Sequence, residues 1–240
     1  VLSRNAIQGN PIYPSGGSKF TLTTKATLPY SLWDGISDYS EVDEQTKNKY
    51  TEYFKIKFTG EWYLPLTKDK KLMIVPRFGF GFLGAYNKNK GISPFERFYM
   101  GGSGLSGFQL DGREIIAMRG YDDQAISSGT GDPIITKFSV ELRYPISLNP
   151  SATIYALVFA EAGNTFTSWK TFNPFRLKSS AGVGLRIFLP MFGLLGVDYG
   201  FGFNNLDKHS TGAGANNADI LQKGWRGQFH FTIGMNLGEL

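Results

Sequence analysis

Side chains that could carry catalysis or bind a metal ion are few in this sequence. The 240 residues contain no cysteine and two histidines, His209 in a polar stretch and His230 near the C-terminal end. Neither histidine stands at the spacing of a zinc ligand set or of a catalytic triad. Adjacent Asp122 and Asp123 could bind a cation, but two carboxylates without further suitably spaced ligands more often solvate a turn. We therefore predict no catalytic residue, no metal site and no cofactor.

Two glycine patterns match the fingerprint of a dinucleotide-binding loop. They are formed by Gly79, Gly81 and Gly84 and by Gly102, Gly104 and Gly107. The fingerprint requires a strand, a tight turn and then a helix whose N-terminus faces the pyrophosphate. The first pattern lies inside an amphipathic strand and the second has no helical periodicity after it, so both favour a structural role.

Eight segments of the sequence alternate apolar and polar residues with a period of two. Any functional side chain must be positioned by these segments. They are residues 19–28, 53–64, 72–82, 137–146, 154–163, 177–189, 195–204 and 225–237. Each is about 10 to 14 residues long, and about 10 tilted residues suffice for a strand to cross a bilayer. Charged side chains lie on the polar face of these segments, which is the pattern of strands with one face in lipid and one in an enclosed lumen.

The connectors between these segments alternate between long and short. Long connectors span residues 32–50, 85–134, 165–175 and 205–224, and short ones span 66–70, 148–151 and 190–193. Outer-membrane barrels of bacteria have long outer loops and short periplasmic turns. The sequence therefore predicts an all-β fold, a transmembrane antiparallel β-barrel with eight strands present.

Charge and hydropathy exclude two other classes of protein. The net charge of +5 is dispersed over the polar faces and loops, whereas nucleic-acid binding would need a clustered basic surface. The densest cluster, at Lys68, Lys70 and Lys71, is interpreted as a solvated turn or a contact with lipid headgroups. The sequence contains no run of about 18 apolar residues, which excludes a helical membrane protein.

The connector 85–134 has the composition of an ordered loop. Aromatic side chains that it could bury are spread along it at Phe95, Phe98, Tyr99, Phe108 and Tyr121. Because a structureless loop of that length is uncommon in a compact protein, we expect this loop to be folded and functional.

A family resemblance rests on two stretches of this loop. Residues 98–103, Phe-Tyr-Met-Gly-Gly-Ser, followed by Arg119-Gly120-Tyr121, resemble the sixth outer loop of the BamA family of outer-membrane protein assembly factors. The resemblance implies that the loop folds into the barrel lumen and that its tip meets acidic residues, here Glu141 and Glu161. A guanidinium in a confined lumen needs a partner, and its planar fork suits carboxylates.

The resemblance extends along the chain and implies that residues 1–240 are the C-terminal part of an outer-membrane barrel domain with sixteen strands. Residues 1–5 are expected to end an earlier strand, followed by a turn rich in strand breakers, Pro11, Pro14, Gly16 and Gly17. Two features depart from the family pattern. One is an insertion from Gly104 to Met118, and the other is the C-terminal sequence 237–240, which lacks a terminal aromatic residue.

The function that the resemblance implies is non-enzymatic assembly and insertion of β-barrel proteins into the bacterial outer membrane through a lateral seam. The implied partners are outer-membrane protein substrates, accessory lipoproteins and the lipid bilayer. Nucleic acid is not expected as a partner. The last strand would form one side of the seam, with Trp225, Gly227, Phe229, Phe231, Ile233, Gly234 and Leu237. Glycines 227 and 234 are predicted to weaken its pairing.

Two alternatives stay open. One is a protein translocation pore of the same superfamily. The other is an independent eight-stranded outer-membrane barrel that acts as an anchor, an adhesin or a lipid-modifying enzyme. The enzyme variant ranks last because no nucleophile stands near a base in the sequence.

Overall fold

The computed structural model describes residues 1–36, 38–39, 41–103, 113–204 and 223–233; for residues 44 and 223–226 it describes the backbone alone. Nearly all regular structure in this part of the chain is β-strand, which confirms the predicted all-β fold. A 3-10 turn at Tyr30–Leu32 and a helix, α1, at Glu44–Lys47 lie in the first long loop.

Eight long antiparallel strands form one sheet with neighbours in chain order. They are β3 (Pro14–Ala26), β4 (Phe54–Pro65), β5 (Met73–Gly84), β8 (Ile134–Asn149), β9 (Ala152–Phe166), β10 (Lys178–Leu189), β11 (Gly193–Asn204) and β12 (Lys223–Ile233). The order in the sheet is β3-β4-β5-β8-β9-β10-β11-β12. Long and short connectors alternate as predicted, so all long loops lie at one end of the sheet.

Two short strands, β1 (Leu2–Asn5) and β2 (Gln8–Gly9), pair with β3 at the first edge of the sheet. The predicted breaker-rich turn is wrong in its extent, because β3 already begins at Pro14. Proline fits the first residue of a strand, where its missing N–H is tolerated. At Gly17 φ is +104° and the carbonyl of Ala6 fills the place of a Cβ, so this glycine makes an irregularity within the strand, not a turn.

The two faces of the sheet are the inverse of those in a soluble protein. Apolar side chains on the outer face are exposed, including Phe138, Val140, Leu142, Tyr144, Val158, Val183, Val197, Phe229, Phe231 and Ile233. Ionic and polar side chains on the other face are buried, including Lys55, Glu61, Glu141, Arg143, Glu161, Arg186, Asp198 and His230. This arrangement is stable where the outer face meets hydrocarbon and the inner face encloses a lumen.

The connection from β5 to β8 folds back against the lumen face. Within it, β6 (Phe98–Met100) and β7 (Glu114–Ile116) pair in parallel, and Gly102 forms a further bridge with Met118. Apolar side chains of this loop and of the strands around it form one buried cluster: Leu83, Phe98, Met100, Ile116, Met118, Tyr121, Ile126 and Ile135. The loop therefore adds an apolar cluster to the lumen side of the sheet.

Aromatic anchors in this loop were predicted at five positions, and the structure divides them. Phe98, Tyr99 and Tyr121 are buried, whereas Phe95 is exposed, so the prediction for Phe95 is wrong. Phe95 follows Pro94 in a bend that turns its ring away from the apolar cluster. Phe108 and most of the insertion 104–118 lie outside the described residues.

Within the described residues, β12 pairs with β11 alone and is not hydrogen-bonded to β1 or β3. These strands therefore do not close on themselves as an eight-stranded barrel in this structure.

Candidate functional site

The side chain of Arg119, just after β7, lies in the lumen between the two predicted acidic partners. Its Nε and Nη2 donate hydrogen bonds of 3.1 and 2.8 Å to Oε1 of Glu161, and its main-chain N–H donates one of 2.9 Å to Oε2. Nη2 also donates a hydrogen bond of 2.9 Å to Oε1 of Glu141. The guanidinium carbon lies 3.6 Å from the ring centroid of Phe159, and Nη1 lies 3.6 Å from Oδ1 of Asp198.

Arg119 is almost fully buried, so its charge depends on these partners. Burial alone would lower the pKa of Arg119, but Glu161, Glu141 and Asp198 outweigh burial and raise the pKa above its ordinary value. A buried charge that has lost its partner typically costs about 3–5 kcal/mol. The loop tip is therefore held in the lumen by a charge-assisted network that would be expensive to break.

Gly120, with φ at +87°, makes the closest backbone approach between the loop and the sheet. Its N–H donates a hydrogen bond of 2.8 Å to Nε2 of His230 on β12. A Cβ on Gly200 would lie 2.8 Å from the nitrogen of Gly120, and one on Gly202 would lie 2.5 Å from its oxygen. Three glycines thus allow the two backbones to meet.

Tyr121 completes the loop tip. Its hydroxyl donates a hydrogen bond of 2.6 Å to the carbonyl of Ser179 on β10, and it lies 3.1 Å from Oδ1 of Asn204 on β11. Burial raises the pKa of Tyr121 to about 12, so the hydroxyl remains protonated and can donate at neutral pH. The adjacent Asp122 accepts a hydrogen bond of 2.7 Å from Gln228 on β12. Residues 119–122 therefore contact all of the last five strands.

A second anchor ties the loop to the opposite side of the sheet. Nζ of the buried Lys55 on β4 donates hydrogen bonds of 2.6 Å to Oε2 of Glu114 and 3.0 Å to Oε2 of Glu96. Lys57 donates one of 2.5 Å to Oε1 of Glu114. Burial would raise the pKa of Glu114, but Lys55 and Lys57 outweigh it and hold the pKa below its usual value. The loop is therefore bound to β4 on one side of the lumen and to β8–β12 on the other.

A cavity of about 280 Å³ lies beside the loop tip, lined by ionic side chains that are also paired. Arg77 bridges Oε2 of Glu61 and Oε2 of Glu141, each at 3.2 Å, and Arg143 binds Glu141 at 2.6 Å. Among the described residues, no group of three or more His, Asp or Glu side chains has an arrangement that could hold a metal ion. The contacts described at this site are ion pairs and hydrogen bonds.

The superfamily of this chain follows from a comparison with protein families. A family model described as the Omp85 superfamily domain matches residues 6–236. The chain belongs to the Omp85 superfamily. This result confirms the family predicted from the loop residues and locates the protein in the bacterial outer membrane.

Two BamA proteins are similar to this Omp85 chain. The outer membrane protein assembly factor BamA of Neisseria meningitidis serogroup B is 28% identical over 138 residues, which are 57% of this chain and 16% of that protein. The crystal structure of BamA from Haemophilus ducreyi lacking POTRA domains 1-3 superposes with a TM-score of 0.60 at 19% identity, over 95% of this chain and 40% of that chain. The similarity to the Haemophilus ducreyi structure shows a shared fold. This Omp85 chain spans less than half of either relative.

The residues predicted for the seam strand are described in part. Phe229, Phe231 and Ile233 point outward from β12. Trp225 belongs to β12, but only its backbone is described, and Gly234 and Leu237 lie outside the described residues. Gly227 pairs with Phe201 and lies beneath the ring of Tyr199, where a Cβ would collide with the tyrosine hydroxyl. Close packing on Tyr199 is therefore a second reason for glycine at this position.

Sequence reasoning missed several residues of the site in this Omp85 chain. The alternation in the last segment puts His230 on its polar row, but it does not indicate that this side chain accepts a hydrogen bond from the loop. Asp198, which forms a bidentate ion pair with Arg186, was assigned only to the polar face. The sequence contains one indication of the contact between Lys55 and Glu114: a lysine on the polar row of a strand and an acidic residue in the loop. This indication is too general to identify the pair.

Proposed function

We propose that this chain is the C-terminal part of the barrel domain of an assembly factor, residues 1–240, with residues 85–134 as a loop that folds into the lumen. Its work is to insert β-barrel proteins into the outer membrane through a seam beside β12. The work is non-covalent: incoming strands pair with an exposed strand edge and need no catalytic residue, metal or cofactor.

The observation that carries the proposal is the state of β12. Its inner face is held by the loop tip through His230 and Gln228. An unpaired edge presents N–H and C=O groups that can template another strand. We propose that β12, held from the lumen side by the loop, offers such an edge when the seam opens.

The partners of the proposed machine follow from this role and from the BamA relatives. Outer-membrane protein substrates would pair with β12, accessory lipoproteins would bind the rest of the assembly factor, and lipid would cover the outer face. Arg119, Gly120 and Tyr121, with Glu141 and Glu161, serve as the structural link that keeps the lumen side of the seam in place.

A crosslinking experiment tests the seam. A photo-reactive amino acid is placed in the full-length protein at Phe231 on β12 or, as a matched control, at Val183 on β10, which is also outward-facing and exposed. During assembly of a substrate barrel, we expect crosslinks to the substrate at position 231 and not at 183. Equal yields of crosslinked substrate at positions 231 and 183 would contradict a seam, because any lipid-facing position would then crosslink to the substrate equally well.

The translocation alternative requires the loop to leave the lumen, against the ion pairs of Arg119 and Lys55. Ion conductance of the protein with and without residues 91–131 separates the two functions. For the assembly factor we expect deletion of the loop to raise conductance and impair insertion of substrate. A pore that passes proteins would instead keep releasing substrate on the far side of the membrane.

A further inference from the structure

The connection between β9 and β10, residues 167–177, packs against the outside of the barrel. The ring centroid of Trp169 lies 4.9 Å from that of Phe82 and 6.3 Å from that of Phe80, both on the outward row of β5. Phe172 lies 6.2 Å from Phe80 and 5.1 Å from Phe166. The loop therefore leaves the lumen side altogether and covers the lipid-facing surface.

Burial of the strands below it confirms this path. Outward-facing positions are exposed over most of β8, yet Ile134 and Thr136, on the same row as the exposed Phe138, are buried. The outward Asn164 on β9 donates a hydrogen bond of 2.9 Å from Nδ2 to the carbonyl of Arg176 in the loop. Residues 167–177 thus form a cover over the rim of β5, β8 and β9 at the long-loop end.

The free surface of this cover combines exposed aromatic and cationic side chains. Phe175 is 92% exposed and Trp169 is 55% exposed. Lys170 and Arg176 are the charged residues of the segment 167–177, which contains no acidic residue. Neither cation forms an ion pair with a carboxylate in the part of the chain that the structure describes.

The loop presents these side chains in a fixed arrangement. The hydroxyl of Thr171 donates a hydrogen bond of 2.9 Å to the carbonyl of Ser168. The N–H of Phe175 donates one of 3.0 Å to Oδ1 of Asn173, and Pro174 between them restricts the backbone. Phe175 is therefore held away from the protein by an ordered turn.

We propose that residues 167–177 are a membrane-interface anchor that binds lipids with anionic headgroups. Trp169 and Phe175 insert at the level of the headgroups and upper acyl chains, where aromatic side chains are favoured. Lys170 and Arg176 bind the negative charge of the headgroups above them. The anchor depends on the barrel spanning the membrane and is independent of the proposed assembly function.

Charge and position favour lipid over a protein partner. The cover lies directly on the apolar outer row of the barrel, so a water-soluble protein would have to displace lipid to reach it. The cationic segment is complementary to an anionic leaflet, whose attraction for each nearby lysine or arginine changes an equilibrium by about fivefold.

A spin-label experiment tests the anchor, and the absence of cysteine from this chain simplifies it. In the full-length protein, with any cysteine elsewhere replaced by serine, a nitroxide is attached at Phe175→Cys or, as a control, at Asn89→Cys in another exposed long loop. The protein is reconstituted in vesicles of phosphatidylcholine with or without phosphatidylglycerol. Accessibility to dissolved oxygen and to a water-soluble nickel chelate is then measured.

We expect the label at 175 to be more accessible to oxygen than to nickel, and the label at 89 to be more accessible to nickel than to oxygen. Phosphatidylglycerol should increase the inserted population of the label at 175. The double substitution Lys170→Gln and Arg176→Gln should cancel that increase, to which each cation contributes about fivefold. The matched pair Lys68→Gln and Lys70→Gln, exposed in a short turn at the other end, should leave it unchanged. Equal access of nickel to both labels would overturn the anchor, and a label at 175 shielded from both reagents would overturn lipid as the occupant in favour of protein.

Discussion

The N–H of Gly120 donates a hydrogen bond of 2.8 Å to Nε2 of His230, which joins the tip of the lumen loop to the last strand. An imidazole that accepts at Nε2 must be neutral and must carry its proton on Nδ1. Together with the hydrogen bond from Gln228 to Asp122, this bond ties the loop tip to β12. Any movement of β12 at a seam must either carry the tip along or break this bond.

Replacing His230 by leucine should destabilise the tip. The substitution leaves the buried N–H of Gly120 without an acceptor, which costs about 1–3 kcal/mol. We expect the free energy of unfolding in urea to fall by that amount and proteolysis within residues 113–133 to accelerate. Thr232→Val, at the next inward position of β12, serves as the control. Equal losses in both variants would show that the hydrogen bond from Gly120 contributes nothing specific.

The two glutamates should couple to Arg119 unequally. The side chain of Arg119 donates two hydrogen bonds to Glu161 and one to Glu141, which is also bound by Arg143. Double-mutant cycles with Arg119→Met should therefore give a larger coupling energy with Glu161→Gln than with Glu141→Gln. Each single substitution at the pair of Arg119 and Glu161 should cost about 3–5 kcal/mol, because one buried charge loses its partner. Equal coupling energies from urea unfolding would refute this assignment.

Attachment of the loop to β4 should depend on pH in the acid range. The pKa values of Glu114 and Glu96 are held below the ordinary value of 4.5, since the attraction of Lys55 outweighs burial. A folded pKa below the unfolded one gives stability that is complete above pH 4.5 and lost as pH falls through the folded value. The protection of residues 113–118 against hydrogen exchange, relative to the intrinsic rate at each pH, should therefore fall as the pH decreases below that value.

Glu114→Gln should remove most of this pH dependence, and Glu41→Gln, at an exposed loop position, should leave it intact. A pH profile that is the same in wild type and Glu114→Gln would mean that other carboxylates govern the attachment.

A lysine on the lipid-facing row should be costly in proportion to its depth. Val140 points outward from the middle of β8, so Val140→Lys should reduce the free energy of unfolding in lipid vesicles by about 2–4 kcal/mol. Met191→Lys, in the short turn between β10 and β11, should cost about 0–1 kcal/mol because its side chain can reach water. Similar costs at the two positions would argue that Val140 does not face hydrocarbon.

The strands could be predicted closely, whereas the contacts across the lumen could not. The alternation placed β4 at residues 53–64 and the structure has it at Phe54–Pro65, because the side-chain period is set by neighbouring residues on one strand. The start of β3 was missed, since Pro14 and Gly17 are tolerated by pairing partners that a local pattern does not include. The exposure of Phe95 was missed for a similar reason: composition indicates what a loop can bury, not which rings face inward.

By itself the sequence determined the strand pattern, the two faces of the sheet and the family of the lumen loop. These follow from short-range periodicity and from a motif of consecutive residues, and both can be read along the chain. Only the tertiary structure decided that His230 accepts from Gly120, that Lys55 binds Glu114, and that residues 167–177 cover the outer rim. Each of these contacts joins residues far apart in sequence, and their meeting depends on the register of many strands and the curvature of the sheet, which no single segment encodes.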